Sequence, residues 1–196
     1  MEISIEMVKE LRARTGAGVL DCRKALAETQ GDMEAAVRLL REQGLAEAAK
    51  RSARQAREGR IECYIHHGNR LGAMVELNCE TDFVARTENF IRLAHELAMQ
   101  VAATNPRFLA REDVPEAVLE EERAIYRSQI EGNKPPQVIE RIVEGKLEKF
   151  FQEACLLEQP SIRDPERKVR DLVNELAAQV GENVVVRRFV RFELGG

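Results

Sequence analysis

IECYIHHGNRLGAMVELNCETDFVAR, residues 61–86, is where the chain changes its period. Ile61, Cys63 and Ile65 alternate with polar residues, His67-Gly68-Asn69 supplies a turn, and Leu71, Ala73, Val75 and Leu77 alternate again. A period of two is that of a strand, and two such runs around a glycine turn predict a β-hairpin. On the N-terminal side the spacing is helical. Ile5, Val8 and Leu11 form one apolar stripe, Val19, Cys22 and Leu26 a second, and Met33, Ala36, Val37 and Leu40 a third. Gly16 and Gly18 break the first helix from the second, Gly31-Asp32 ends the second and caps the third, and Gly44 is the expected C-cap of the third. Residues 45–58 are alanine-rich and predict a connecting helix carrying Lys50, Arg51, Arg54 and Arg57. That basic run is either a solvated face or a phosphate- or RNA-binding patch; it has no interleaved aromatics to favour the latter.

Beyond the hairpin the pattern returns to helices. One begins near Glu88 and carries Phe90, Ala94, Leu97 and Val101, and Asn105-Pro106 stops it. A second spans about Pro115–Ile130 and is ended by Gly132-Asn133. A third starts near Pro136 with Val143, Leu147, Phe150 and Ala154 inward. Asp164-Pro165 has the form of an N-cap followed by proline, opening a helix through Val169, Leu172, Val173, Leu176 and Val180. The tail VVVRRFVRFEL, Val184–Leu194, is β-branched and aromatic and predicts a strand that joins the hairpin. The expected fold is α+β: a helical module over 1–44, a connecting helix over 45–58, and an α+β core over 59–196 of about three antiparallel strands packed by helices.

Composition narrows the function classes. The chain has 196 residues, 44% of them hydrophobic and 33% charged, with no tryptophan and a formal charge of -4. An acidic chain is not the electrostatic footprint of a nucleic-acid binder. No apolar run reaches the roughly 18 residues of a membrane span. MEISIEMVKEL at the N-terminus resembles neither a signal nor a transit peptide. Cys22, Cys63, Cys79 and Cys155 are scattered among apolar residues. They are expected to be reduced thiols used as small core residues, which places the chain in the cytoplasm. A metal site from Cys63, His66, His67 and Cys79 is the alternative, but Cys63 and His66 are an odd number of residues apart on a strand and face opposite ways.

Catalytic groups are scarce. His95 lies in an amphipathic helix, and Cys79 stands beside Glu80 and Asp82, whose charge raises a thiol's pKa. TGAG at residues 15–18 lacks the lysine and spacing of a phosphate loop and does not follow a strand. No enzyme is predicted. Two segments invite attention instead. Val19 and Leu20 follow the glycine turn of the helical module; Val19 fits the core stripe and Leu20 fits it poorly, so this pair is either packing or an anchor for a partner. Phe83 lies between the end of the hairpin and the next amphipathic helix, and is either a plug for the chain's own core or an exposed wedge.

Four stretches resemble the elongation factor Ts family, the guanine-nucleotide exchange factors of the GTPase elongation factor Tu. They are LRARTGAGVLDCRKAL at 11–26, ELNCETDFVAR at 76–86, KLEKFFQEACLLEQP at 146–160 and VRRFVRFEL at 186–194. The resemblance implies a ubiquitin-associated-like three-helix module at the N-terminus. It implies that Thr81, Asp82, Phe83 and Val84 press on the GTPase domain and help dislodge its Mg²⁺, while Arg12, Val19 and Leu20 meet the GTPase from the module. No cofactor and no metal of the chain's own are implied. Many relatives carry Met-Met where this chain has Val19-Leu20, which keeps apolar contact and loses methionine's adaptability. A second core subdomain and a coiled-coil insertion of longer relatives are lacking, so a homodimer or a two-to-two complex is expected. The rival readings are a scaffold whose helical module binds a peptide or ubiquitin-like partner, and an enzyme that depends on Cys79.

Overall fold

The computed structural model describes residues 3–51, 53–130, 132 and 134–195, and the side chains of residues 45–50 are outside that description. The basic side chain of Lys50 and the helix stop at Asn133 therefore lie outside the described residues. Among the described residues are α1 (Ile5–Thr15), α2 (Val19–Glu28), α3 (Met33–Arg51), β1 (Glu58–Ile65), β2 (Leu71–Cys79), α4 (Asp82–Ala85), α5 (Glu88–Thr104), α6 (Glu116–Ser128), α7 (Pro136–Ala154), α8 (Val169–Val180) and β3 (Val185–Glu193). The strands form one sheet in the order β1-β2-β3, so the fold is α+β with the C-terminal strand joined to the hairpin. No described helix is long and apolar enough to cross a membrane.

Contacts divide the chain into two compact units. The first comprises Met1–Arg60, Leu77–Leu93 and Asp171–Val186, and the second Ile61–Glu76, Ala94–Arg170 and Arg187–Gly196. In the first, α1, α2 and α3 close over Val8, Leu11, Cys22, Ala25, Leu26, Ala36 and Leu40. The helix boundaries follow from local chemistry. Ser4 accepts a hydrogen bond from the Met7 amide, Gly16 ends α1 in the left-handed region at φ 69, and Asp32 accepts from the Ala35 amide at 2.9 Å at the start of α3. Two members of the expected stripes, Ile5 and Val19, are exposed instead of buried. Both are the first residues of their helices, ahead of the turns that pack, and the core uses the residues one turn further on.

α3 also departs from expectation. Gly44 does not cap it; the helix continues through Gly44 to Arg51, and no helix extends over residues 53–57, with β1 already under way at Glu58. One interior glycine costs a helix only about 1 kcal/mol, which the alanine-rich sequence after it outweighs. The glycine serves packing: a Cβ at position 44 would lie 3.2 Å from the Ala178 Cβ of α8.

In the second unit, α6 and α7 form a hairpin around Val114, Leu119, Val143, Leu147, Phe150, Ala154 and Cys155. Glu158, with its side chain only 6% exposed, accepts from Arg111 at 3.0 Å, Lys168 at 3.0 Å and Arg170 at 2.7 Å. Buried Gln100 donates to Gln159 Oε1 and Pro160 O, and accepts from the Ile162 amide. These bonds also explain why Asp164-Pro165 forms a turn and α8 starts later, at Val169. A bridge between Pro160 and Lys168 closes that loop, with the Val169 amide bonded to Gln159 O and the Arg167 amide to Asp164 O.

The hairpin turns at Gly68 (φ 91) and Asn69 (φ 56), where the left-handed backbone suits glycine and asparagine. Bonds from the His66 amide to Leu71 O and from the Leu194 amide to Arg70 O set the register on either side of β2. That register puts the two apolar alternations on opposite faces. Ala73, Val75 and Leu77 are buried, whereas Ile61, Cys63 and Ile65 are exposed beside Met74, Val190 and Phe192. Cys63 is therefore not a core thiol, unlike Cys22, Cys79 and Cys155.

Candidate partner-binding site

β2 delivers the chain to Glu80 and Thr81, and the residues that follow form a single helical turn, α4, which four residues give the sequence no period to announce. Thr81 is extended (φ -127, ψ 152) at the N-cap position, yet its hydroxyl does not cap α4. It donates to Glu182 Oε1 at 2.6 Å, while the amides of Glu80 and Thr81 both donate to Glu182 Oε2 at 3.0 Å. In return the Asn183 amide donates to Glu80 Oε1 at 2.7 Å, and Asn183 Nδ2 donates to Arg54 O at 2.8 Å. Arg54 completes the ring by approaching Glu80 Oε1 at 3.6 Å. After the turn, Thr87 donates to Val84 O and accepts from the Phe90 amide, so α5 starts without slack.

On this frame the side chains sort themselves. Ala85 is buried and anchors the turn, Asp82 and Val84 are half-buried, and Phe83 is 78% exposed. The plug reading of Phe83 fails on that exposure: the ring fills no part of the chain's own core. Asp82 pairs with Arg86 at 2.7 Å along the outside of the turn. Cys79 donates to Thr81 O, and burial, then the Glu182 carboxylate, push its thiol up to about 11. A thiol so suppressed is a poor nucleophile. Among the described residues, no group of three or more histidine, cysteine or acidic side chains is arranged to hold a metal ion.

The helical module presents a second exposed set. Arg12 is exposed, Val19 is 51% exposed and Leu20 is 71% exposed, while Cys22, Ala25 and Leu26 take the inward face of α2. Val19 therefore does not serve the core as its place in the stripe suggested. The turn that carries it is fixed: the Gly16 amide donates to Arg12 O at 2.8 Å, and a Cβ on Gly16 would sit 2.9 Å from Gln179 Nε2 of α8. The end of α8 and the residues after it thus reach both sets, Gln179 beside Gly16 and Glu182 beside Thr81. Both sets belong to the first unit. Glu182, Asn183 and Glu80 had no signal in the sequence as supporting residues, because their partners are about a hundred positions away and polar pairs near strand ends are common.

Comparison with known proteins extends the resemblance to the whole chain. The sequence model of the family described as Elongation factor TS matches residues 35–196. A protein of Thermodesulfovibrio yellowstonii named Elongation factor Ts is 58% identical over 195 residues, covering 100% of this chain and 98% of that protein. Proteins of the same name from Herpetosiphon aurantiacus and Moorella thermoacetica are 58% identical over 196 residues and 59% identical over 189, covering 99% and 93% of those proteins and 100% and 96% of this chain. With a family model over residues 35–196 and relatives 58–59% identical along nearly the whole length, this chain belongs to the elongation factor Ts family.

Proposed function

We propose that the chain is the exchange factor of elongation factor Tu: it binds the GDP form, drives Phe83 and its neighbours Thr81, Asp82 and Val84 against the GTPase domain, and promotes loss of Mg²⁺ and then GDP. The observation that carries this reading is an aromatic ring left 78% exposed on a turn held before it by the Glu80 and Thr81 amides on Glu182 and after it by the Thr87 hydroxyl donating to Val84 O. Scattered exposed apolar residues are ordinary on protein surfaces. A phenylalanine on a turn fixed by so many polar contacts is better suited to enter a partner's groove, since little ordering remains to be done on binding. Arg12, Val19 and Leu20 on the module over residues 1–44 are proposed as the second contact.

The mechanism needs no catalytic group. A factor that binds the nucleotide-free GTPase more tightly than the GDP form must, by linkage, weaken GDP by the same factor. The GTPase holds its phosphates through P-loop amides and Mg²⁺. Displacing elements that carry the metal removes the charge that offsets the phosphates, and GDP leaves. The factor remains a cytoplasmic protein binder, with no direct role for nucleic acid or membrane.

Assembly as a homodimer or a two-to-two complex is part of the same proposal. The outer sheet face in the second unit carries Ile61, Met74, Val190 and Phe192, with Phe192 67% exposed, and Arg188 pairs with Glu76 at its margin at 2.6 Å. Exposed apolar side chains gathered on one sheet face call for cover, and a second copy supplies the same surface in a closed, two-fold arrangement. The test of the exchange reading is release of fluorescent GDP from elongation factor Tu: catalytic amounts of the chain should accelerate it. Unchanged release at equimolar protein would refute the assignment.

A further inference from the structure

The bonds around Thr81 have a direction that points to a working part outside the turn itself. α8 ends at Val180, and Gly181 after it takes the left-handed conformation (φ 73) with its amide bonded to Ala177 O at 3.0 Å. The next residues, Asn183 and Val184, are buried, and β3 begins at Val185. Glu182 is therefore held between a capped helix and an anchored strand. From that position one carboxylate oxygen receives two main-chain amides and the other receives the Thr81 hydroxyl, at 3.0, 3.0 and 2.6 Å. Glu80 answers with its own carboxylate on the Asn183 amide. The two strand ends are thus clasped reciprocally, immediately before the turn that carries Phe83. Thr81 is exposed, so water could satisfy its hydroxyl and amide without Glu182. What water cannot supply is direction.

We propose that Glu182 is a positioning residue for partner engagement: it does not meet the GTPase through its own side chain but sets the angle at which α4 presents Phe83. This rests on the proposed role of Phe83 as the contact that promotes nucleotide release. The chemistry of the clasp also says which substitutions preserve it. Glutamine keeps the length; its carbonyl oxygen can accept both amides and its NH₂ can donate to the Thr81 oxygen. Aspartate keeps the charge but is one methylene short. Alanine removes all three acceptor contacts.

The experiment combines GDP release from elongation factor Tu, thermal unfolding, and hydrogen exchange of the Glu80 and Thr81 amides in the free protein. It uses Glu182→Ala, Glu182→Asp and Glu182→Gln, each alone and with Phe83→Ala. Glu182→Ala and Glu182→Asp should slow nucleotide release roughly tenfold, the equivalent of one hydrogen bond to a charged acceptor, and speed exchange of the two amides by about tenfold or more. Glu182→Gln should recover release to within about threefold of the wild type. In the Phe83→Ala background, Glu182→Ala should cost about threefold or less, because a positioning residue acts through what it positions and only the weaker contacts of the turn remain. The aspartate variant serves where alanine unfolds the chain. If Phe83→Ala is slow while Glu182→Ala and Glu182→Asp release GDP at the wild-type rate, or if the losses multiply in the double variant, the positioning role is wrong. If Phe83→Ala itself exchanges normally, the fault lies in the role given to Phe83, and amide protection that survives in Glu182→Ala would show that the clasp is idle as well.

Discussion

Glu158 and Glu182 each gather three donors, one in each unit, and they are built for different ends. Glu158 is buried and its donors are the side-chain cations Arg111, Lys168 and Arg170, with Arg111 also over the Phe151 ring at 4.8 Å. Glu182 is half-buried and its donors are two main-chain amides and a hydroxyl, all on the approach to an exposed ring. The first arrangement neutralises one buried carboxylate with three cations whose own side chains are 30–44% exposed, so the carboxylate is the group that depends on its partners. The second fixes a backbone direction at the surface and buries little. Stability should follow Glu158, and exchange should follow Glu182 and Phe83.

The largest effect separates the two most sharply. Glu158→Ala should destabilise the chain by about 3 kcal/mol, the loss of charge-assisted bonds from three cations that water can partly resolvate, while GDP release per folded molecule stays at the wild-type level. Denaturant unfolding and release on one preparation decide it; equal losses in both would merge the two regions into one.

Next comes pH. Burial pulls the Glu158 carboxyl upward, but Arg111, Lys168 and Arg170 outweigh it and bring the group from 4.5 down to about 2. A carboxylate with a depressed folded pKa stabilises fully above its unfolded value, and that contribution is lost as pH falls from about 4.5 towards 2. The drop amounts to about 3 kcal/mol. Thermal melts should therefore show an acid transition between those values in the wild type that is muted in Glu158→Gln.

Smaller again is assembly. Phe192→Glu on the outer sheet face should weaken self-association by about 2 kcal/mol, roughly thirtyfold, read as a shift from dimer to monomer mass by light scattering. A wild type that is strictly monomeric, both free and in complex, would remove the dimer from the proposal. Asp82→Ala should have the smallest effect, below about 1 kcal/mol on stability, because the pair with Arg86 is largely exposed. Its exchange defect should be milder than that of Phe83→Ala.

How much of this was legible in the sequence depended on distance. The hairpin, its His67-Gly68-Asn69 turn, the helices after it and the joining strand all follow from periods and turn residues, which are local signals. Gly44 and Asp164-Pro165 show two limits of such signals: the alanine-rich sequence after Gly44 outweighs one glycine that sits close to Ala178, and a bridge between Pro160 and Lys168 occupies the segment where the N-cap pattern would start a helix. Ile61, Cys63 and Ile65 alternate as a buried strand would, yet the register turns them outward, and alternation alone does not say which face is covered. Phe83 and Val19 were ambiguous for the same reason. Glu182 was invisible, since nothing near it marks a partner a hundred residues earlier.

Phe83→Ala, assayed for GDP release from elongation factor Tu and for thermal unfolding on the same preparation, bears most directly on the division between a stable unit and a working surface. With the ring 78% exposed, the melting temperature should stay at the wild-type value. Release should slow roughly thirtyfold or more, as for truncation of an interface aromatic worth about 2 kcal/mol. A large fall in melting temperature with normal release per folded molecule would contradict it and return Phe83 to the core.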